Sequence, residues 1–371
     1  MMHHLKALRL IFLWALLLPG CTVSRFFVYN FADIQDHKKF PSRPLHPEAS
    51  PFTFPKAHQP KFPKTINYPQ HAPERTFDAF LAKHKTVAFL IIYKDSLHYE
   101  GYFHGYARDR WVPSFSMAKS VTSMLVGCAI ADGYIGAVED PVTKYIPELA
   151  DRGFASVTLL HVLQMTSGLR FNESYVNPFG HAASFYYGRQ LNKRTTRLRL
   201  RHAPGTRWEY VSGNTQLLGL VLSRALKNKT VTAYAQEKLW TPMGMEYPAS
   251  WSLDRAKDGM EKTFCCLNAT ARDFAKLGRL YLHQGRWNGQ QLVPAAWVTA
   301  STQRDTTAGS VPFYQYQWWL PQPGHDFMAQ GILGQYIYVH PAKDLVVVRL
   351  GKNEGNVDWP SLFVALAEKY E

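Results

Sequence analysis

Residues 112–127 read VPSFSMAKSVTSMLVG, with a serine and a lysine three positions apart at the head of an apolar run. Val121, Met124, Leu125, Cys128 and Ala129 recur at the i, i+3, i+4, i+7, i+8 spacing of one buried helix face, so Ser116 is expected to open a core helix. Side chains at i and i+3 share a face one turn apart, which lets Lys119 bring its amine to the Ser116 hydroxyl. A serine hydroxyl is a weak nucleophile at its own pKa, and a desolvated lysine can serve as its base. The helix start adds unpaired N–H groups and a positive dipole end, where a developing oxyanion is stabilised. The plainer reading is a serine that only caps a helix. No second Ser-x-x-Lys occurs in the chain.

With 371 residues, 46% hydrophobic and 14% aromatic, the chain can bury a large core in one big domain or two intimate subdomains, which excludes a disordered or fibrous protein. At the N-terminus Lys6 and Arg9 precede an apolar stretch, Leu10 to Leu18, that is short for a membrane span and reads as a secretory leader. Leu-Pro-Gly-Cys ending at Cys21 resembles a bacterial lipobox, with Cys21 lipidated and first in the mature chain, and Thr22 after it resembles an outer-membrane address. Residues 1–21 are thus expected to be a lipoprotein signal peptide and 22–72, rich in Pro and Lys and without periodicity, an extended arm. Cys128, Cys265 and Cys266 remain, and three thiols cannot form a disulfide framework. Cys128 falls on the apolar helix face, while Cys265 and Cys266 lack C-x-x-C spacing. No metal-ligand cluster is visible, so neither metal nor cofactor is expected. The net charge of +14 includes the run NKRTTRLRLRH at 192–202. Such an excess points to anionic lipids or polymers, or to a merely solvated loop; no nucleic-acid motif is present.

From residue 74 a helix to about 85 is followed by TVAFLIIYKD and SLHYEGYFHG, two strand-like runs turning near Asp95 and Ser96. A long section of helical patterns comes next, and YQWWL, LGQYIYVHP and DLVVVRLG then read as strands before a closing helix in WPSLFVALAEKYE. Strands at both ends with helices between predict an α+β fold. Its antiparallel sheet is built from both chain ends and flanked by the terminal helices, and it carries a large all-helical insertion.

A Ser–Lys hydrolase needs a relay for the leaving group's proton, and a tyrosine can act when cations lower its pKa. Tyr210, in PGTRWEYVSGNTQLLG, follows a Pro-Gly turn and precedes a helix expected to be capped by Asn214. SMAK from Ser116, LLHVLQMTSGL from Leu159, PGTRWEYVSGNTQLLG from Pro204, LWTPMGME from Leu239, TARDFAKLGRLYLHQGRWNGQQLVP from Thr270 and AQGILGQYIYVHPAKDLVVV from Ala329 together resemble the serine beta-lactamase-like family. The likeness is to its class C beta-lactamase, penicillin-binding and esterase branch, and is closest in motifs to the 6-aminohexanoate-dimer hydrolases and carboxylesterases. It covers residues 73–371 as one hydrolase domain.

The resemblance implies Ser116 as acylated nucleophile, Lys119 as general base and Tyr210 as relay. It also implies an oxyanion hole from the Ser116 and Ile332 N–H groups, and Ser212, Gln330 and Gly331 as substrate contacts. Two departures stand out. The family's Tyr-x-Asn reads Tyr210-Val211-Ser212, and its Lys-Thr-Gly or His-x-Gly element reads Ala329-Gln330-Gly331, with no cation at the first position. The expected activity is cleavage of small ester or amide substrates through an acyl-enzyme, on a lipid-anchored protein of the bacterial envelope facing the periplasm. The alternatives are a DD-peptidase or beta-lactamase, and an inactive anchored binding protein.

Overall fold

Thr86–Tyr93 and Leu345–Gly351, from opposite ends of the chain, pair antiparallel within a seven-stranded sheet. The strand order is Ser96–Tyr102, Thr86–Tyr93, Leu345–Gly351, Gln335–His340, Phe327–Gly331, Trp318–Trp319, Tyr314–Gln315, and all neighbours are antiparallel. The computed structural model describes residues 22–29, 31–66, 74–321 and 324–371.

Alternation along the strands builds two cores. Phe89, Ile91, Tyr336, Tyr338 and Val347 pack under the two terminal helices, Phe77–Lys83 and Trp359–Ala367. Leu90, Ile92, Ile337, Val339, Val346 and Val348 face the opposite way, into the larger core shared with the helix Ala271–Leu282. Thr76 and Thr270 start their helices by accepting N–H bonds from Ala79 and Asp273. The first hairpin turns at Lys94 and Asp95, both at positive φ, one residue earlier than expected.

The helix Met117–Ala131 lies between this sheet and a helical layer that includes Leu159–Leu163, His181–Tyr187, Ser212–Ala225 and Val231–Ala235. Every residue from Met117 to Ala129 is buried, so the expectation of a single buried face was too narrow: the helix is enclosed by two layers, and even Lys119, Ser120, Thr122 and Ser123 lie inside.

The expected extended arm is laid onto the domain. Thr22–Tyr29 is a helix whose Phe26 and Tyr29 pack with Phe40 and Tyr187. Ser42–Leu45 pairs with Ala249–Ser252 in a second, four-stranded sheet, and Phe54 is buried. Its aromatic residues, read among the prolines as tether, supply the apolar area that holds it down.

Candidate active site

Phe115 adopts φ +43° and turns the chain from the short strand Val112–Pro113 into the helix, so that Ser116 stands at its start. The Ser116 side chain makes no capping bond, which removes the cap reading. Ser114 ties this approach to the strand Leu267–Ala269: its N–H donates to the Leu267 carbonyl at 2.7 Å, and its Oγ accepts from the Leu267 N–H at 3.2 Å. Lys119 Nζ donates to Ser116 Oγ at 2.8 Å and to the Phe264 carbonyl at 3.0 Å. Lys119 is 1% exposed, and its burial, partly offset by the charge of Glu173, pulls its pKa down to about 8.

Tyr210 sits on the loop before Ser212–Ala225. Its hydroxyl lies near the Ser116 side chain, and its ring centre is 5.1 Å from Lys119 Nζ. Its ring also meets Trp319 and Tyr314, with centroids at 5.4 and 5.9 Å. The expectation that cations lower the Tyr210 pKa is not met, because burial raises it, with the neighbouring Ser116 side chain only partly opposing. Tyr210 therefore keeps its proton at neutral pH. Asn214 does not cap the following helix either. Val211 holds the cap position, while Asn214 is buried, accepts from Ser167 Oγ at 2.5 Å and donates to Met165 Sδ at 3.2 Å.

Gly331 ends the strand Phe327–Gly331 against the backbone of residues 114–116, and the Ile332-Leu333-Gly334 turn returns the chain to Gln335. Ile332 lines the same cavity as Ser116. Arg349, fully buried, braces this turn from behind, donating through Nη1 to the Gly334 carbonyl at 2.7 Å and through Nη2 to the His84 carbonyl at 2.8 Å. Gln330 is not brought to the site. It pairs with Tyr336 on the opposite face of the strand and donates to Tyr336 Oη at 3.4 Å. Ser212 does reach the cavity, but its hydroxyl donates to Glu173 Oε1 at 2.5 Å. Cys21 lies outside the described residues.

Two features escaped the sequence reading. Glu173 accepts from the Ser212 N–H and Oγ and from Tyr175 Oη, which places a carboxylate close enough to act on Lys119 and Tyr210. The available signal was that Glu173 is the only acid between Arg170 and His202. Second, Cys265 and Cys266 form a disulfide with each other, immediately after the carbonyl that receives Lys119. Three thiols are too few for a framework of bridges between distant segments, but two adjacent cysteines can still bridge each other, as these do. Cys128 is buried and free, as its place on the apolar face predicts.

Beside Ser116 opens a cavity of about 270 Å³, walled by Phe31, Ala182, Tyr186, Tyr187, Phe264 and Ile332 among others. Among the described residues no charged side chain lines it. Among the described residues no group of three or more His, Cys, Asp or Glu could hold a metal ion.

A serine–lysine pair set between an antiparallel sheet and a helical layer defines the class of serine hydrolases that act on amide or ester bonds. The chain belongs to the beta-lactamase family, whose model matches residues 74–370. It is 29% identical over 298 residues to the 6-aminohexanoate-dimer hydrolase of Paenarthrobacter ureafaciens, a match covering 74% of this chain and 73% of the other. Its fold is similar to that of a Bacillus anthracis protein provisionally assigned as a 6-aminohexanoate-dimer hydrolase (TM-score 0.78, 21% identity, 92% and 94% of the two chains). It is also similar to a family VIII carboxylesterase (TM-score 0.59, 18% identity, 76% and 91%).

Proposed function

We propose that the protein is an esterase or small-amide hydrolase in which Ser116 is acylated, Lys119 is its general base and Tyr210 relays the proton. The observation that carries this is the 2.8 Å contact between Lys119 Nζ and Ser116 Oγ, made by a lysine buried enough for its pKa to fall to about 8. An appreciable fraction of the amine is then neutral near pH 7 and can accept the hydroxyl proton. As Ser116 Oγ bonds to the acyl carbon, its proton passes to Lys119. The carbonyl becomes an oxyanion held by the N–H groups of Ser116 and Ile332. The intermediate collapses with loss of the alcohol or amine, which takes a proton through the neutral Tyr210 hydroxyl. Water, deprotonated by the same pair, attacks the acyl-enzyme, releases the acid and restores Ser116.

The resemblance of Leu-Pro-Gly-Cys to a lipobox and the Cys265–Cys266 disulfide support an oxidising compartment, with the chain held by a lipid on Cys21 in the bacterial envelope, at the outer membrane and facing the periplasm. The uncharged cavity favours esters and amides over the carboxylate-bearing substrates of a DD-peptidase or beta-lactamase.

Labelling with a fluorophosphonate tests the reading, since only an activated serine reacts. Wild type should be labelled, Ser116→Ala not at all, and Lys119→Ala much more slowly. Absence of labelling in the folded wild type would turn the reading to an inactive binding protein.

A further inference from the structure

Among the described residues, six of the seven large apolar side chains left exposed fall in two short segments: Phe27, Val28 and Phe31 in one, Tyr175, Val176 and Phe179 in the other. Isolated exposed apolar residues are ordinary, whereas a group gathered at one place marks a contact surface. The two segments meet at the catalytic cavity, because Phe31 and Tyr175 both line it. Beneath them Phe26 joins Phe27, Phe31 and the wall residue Tyr187 ring to ring, with centroids at 5.7, 6.0 and 5.3 Å. Phe179 and Val176 are 82% and 70% exposed, so nothing in the described chain covers the outer part of this rim.

The helix His181–Tyr187 separates that cavity from a second one of about 540 Å³. Ala182, Ala183, Tyr186 and Tyr187 face the first, and His181, Ser184 and Phe185 the second. Among the described residues the second cavity is walled by Arg170, Lys193, Arg194, Arg197 and Arg199 with no acid, and it is where much of the basic 192–202 run ends up. None of the five makes an ion pair with a carboxylate of the described residues. Arg194 Nη2 donates to Thr22 Oγ1 at 3.1 Å, which places the basic wall beside the helix that carries Phe27 and Val28. Cys21 precedes that helix directly.

An apolar rim beside unpaired guanidinium groups matches an anionic bilayer surface: the cations meet headgroup phosphates while the apolar side chains enter the acyl boundary. A protein partner could offer acids and an apolar patch, but the rim runs on into a cavity lined by apolar walls beside the reactive serine, which suits an acyl chain. We propose that this face docks on an anionic lipid bilayer and that the substrate is an acyl ester drawn from the membrane, its chain passing over the Phe31 and Tyr175 rim to Ser116. This rests on the hydrolase reading above and uses the same chemistry, with the fatty acid released by water.

The test uses the full chain throughout, so that the segment before Thr22 is common to every arm. Turnover of a long-chain nitrophenyl ester is measured in vesicles of phosphatidylcholine alone and of phosphatidylcholine mixed with phosphatidylglycerol, beside a soluble short-chain nitrophenyl ester. Wild type should favour the anionic vesicles, and salt should close the gap. Lys193→Gln with Arg197→Gln should cut that preference by about 25-fold, at about fivefold per charge. Val176→Ser with Phe179→Ser should lower turnover in both vesicle types. Both double variants should keep the wild-type rate on the soluble ester, which also reports that they fold. Equal wild-type rates in the two vesicle types, or variants that leave vesicle turnover unchanged, would overturn the docking surface. Failure of wild type on the soluble ester as well would instead overturn the hydrolase reading beneath it.

Discussion

Gly331 lies so close to Ser116 that a Cβ at position 331 would stand 3.0 Å from the Ser116 amide nitrogen and 2.4 Å from the Ser114 carbonyl oxygen. Both are backbone atoms of the turn that aims the serine, so neither can move without carrying Ser116 with it. Arg349 blocks retreat of the other partner, since it clamps the Gly334 carbonyl from inside the sheet. Gly331→Ala should therefore cost roughly 100-fold or more in kcat/KM, the scale of losing an oxyanion donor. An unchanged rate in a correctly folded variant would remove the Ile332 N–H from the mechanism.

The pH profile reports on Lys119. In the proposed mechanism its neutral form is the base, and burial brings its pKa to about 8, so kcat/KM should rise with pH through about 8 and level off above. The Glu173 charge raises that pKa, so Glu173→Gln should move the rising limb to lower pH. Stability carries the same sign. A lysine that titrates lower when folded is a cost to folding below about pH 8, a cost that fades as pH climbs toward the unfolded value of 10.5. Wild type should gain melting temperature relative to Lys119→Met across that interval.

Tyr210→Phe deletes a hydroxyl and keeps the ring against Trp319, Tyr314 and Lys119. Turnover should fall by roughly 100-fold or more, as for the loss of a positioned acid–base group. Melting temperature should hold. Equal rates with a lowered melting temperature would make Tyr210 a packing residue.

Substrate charge is the next discriminator. Ala329 is buried and leaves no cation at its strand position, Arg201 is engaged with Glu209, and Arg199 belongs to the second cavity. A substrate carboxylate thus forgoes charge-assisted hydrogen bonds of about 1.5 to 3 kcal/mol each. The specificity constant for a short-chain nitrophenyl ester should exceed that for a chromogenic cephalosporin. The reverse order would promote the beta-lactamase reading.

The Cys265–Cys266 bond follows the Phe264 carbonyl that receives Lys119, and Cys266 holds φ +69°. Reduction and alkylation should add mass at both cysteines of one peptide and lower kcat several-fold, with fluorophosphonate still reacting at Ser116, though more slowly. Alkylation of Cys265 and Cys266 without prior reduction would show that the bond does not form.

What could be read from residues alone is what a short span of backbone dictates. Ser116 and Lys119 are one helical turn apart, so their contact follows from helix geometry before any packing is known. Gln330 and Gly331 were both expected to touch substrate, but they are neighbours in the strand Phe327–Gly331, whose period of two puts them on opposite faces, Gln330 opposite Tyr336 and Gly331 opposite Gln335. The order of strands at both ends and helices between was enough for the α+β fold. Glu173 meets Ser212 across 39 residues, and Phe31 reaches the cavity from a stretch read as tether. Such contacts arise only when separate elements pack, because no local periodicity encodes which distant side chain fills a given wall. The carboxylate beside the Ser–Lys pair, the apolar rim and the basic cavity behind it were therefore decided by tertiary structure, where burial and charge are shared among segments that the chain keeps far apart.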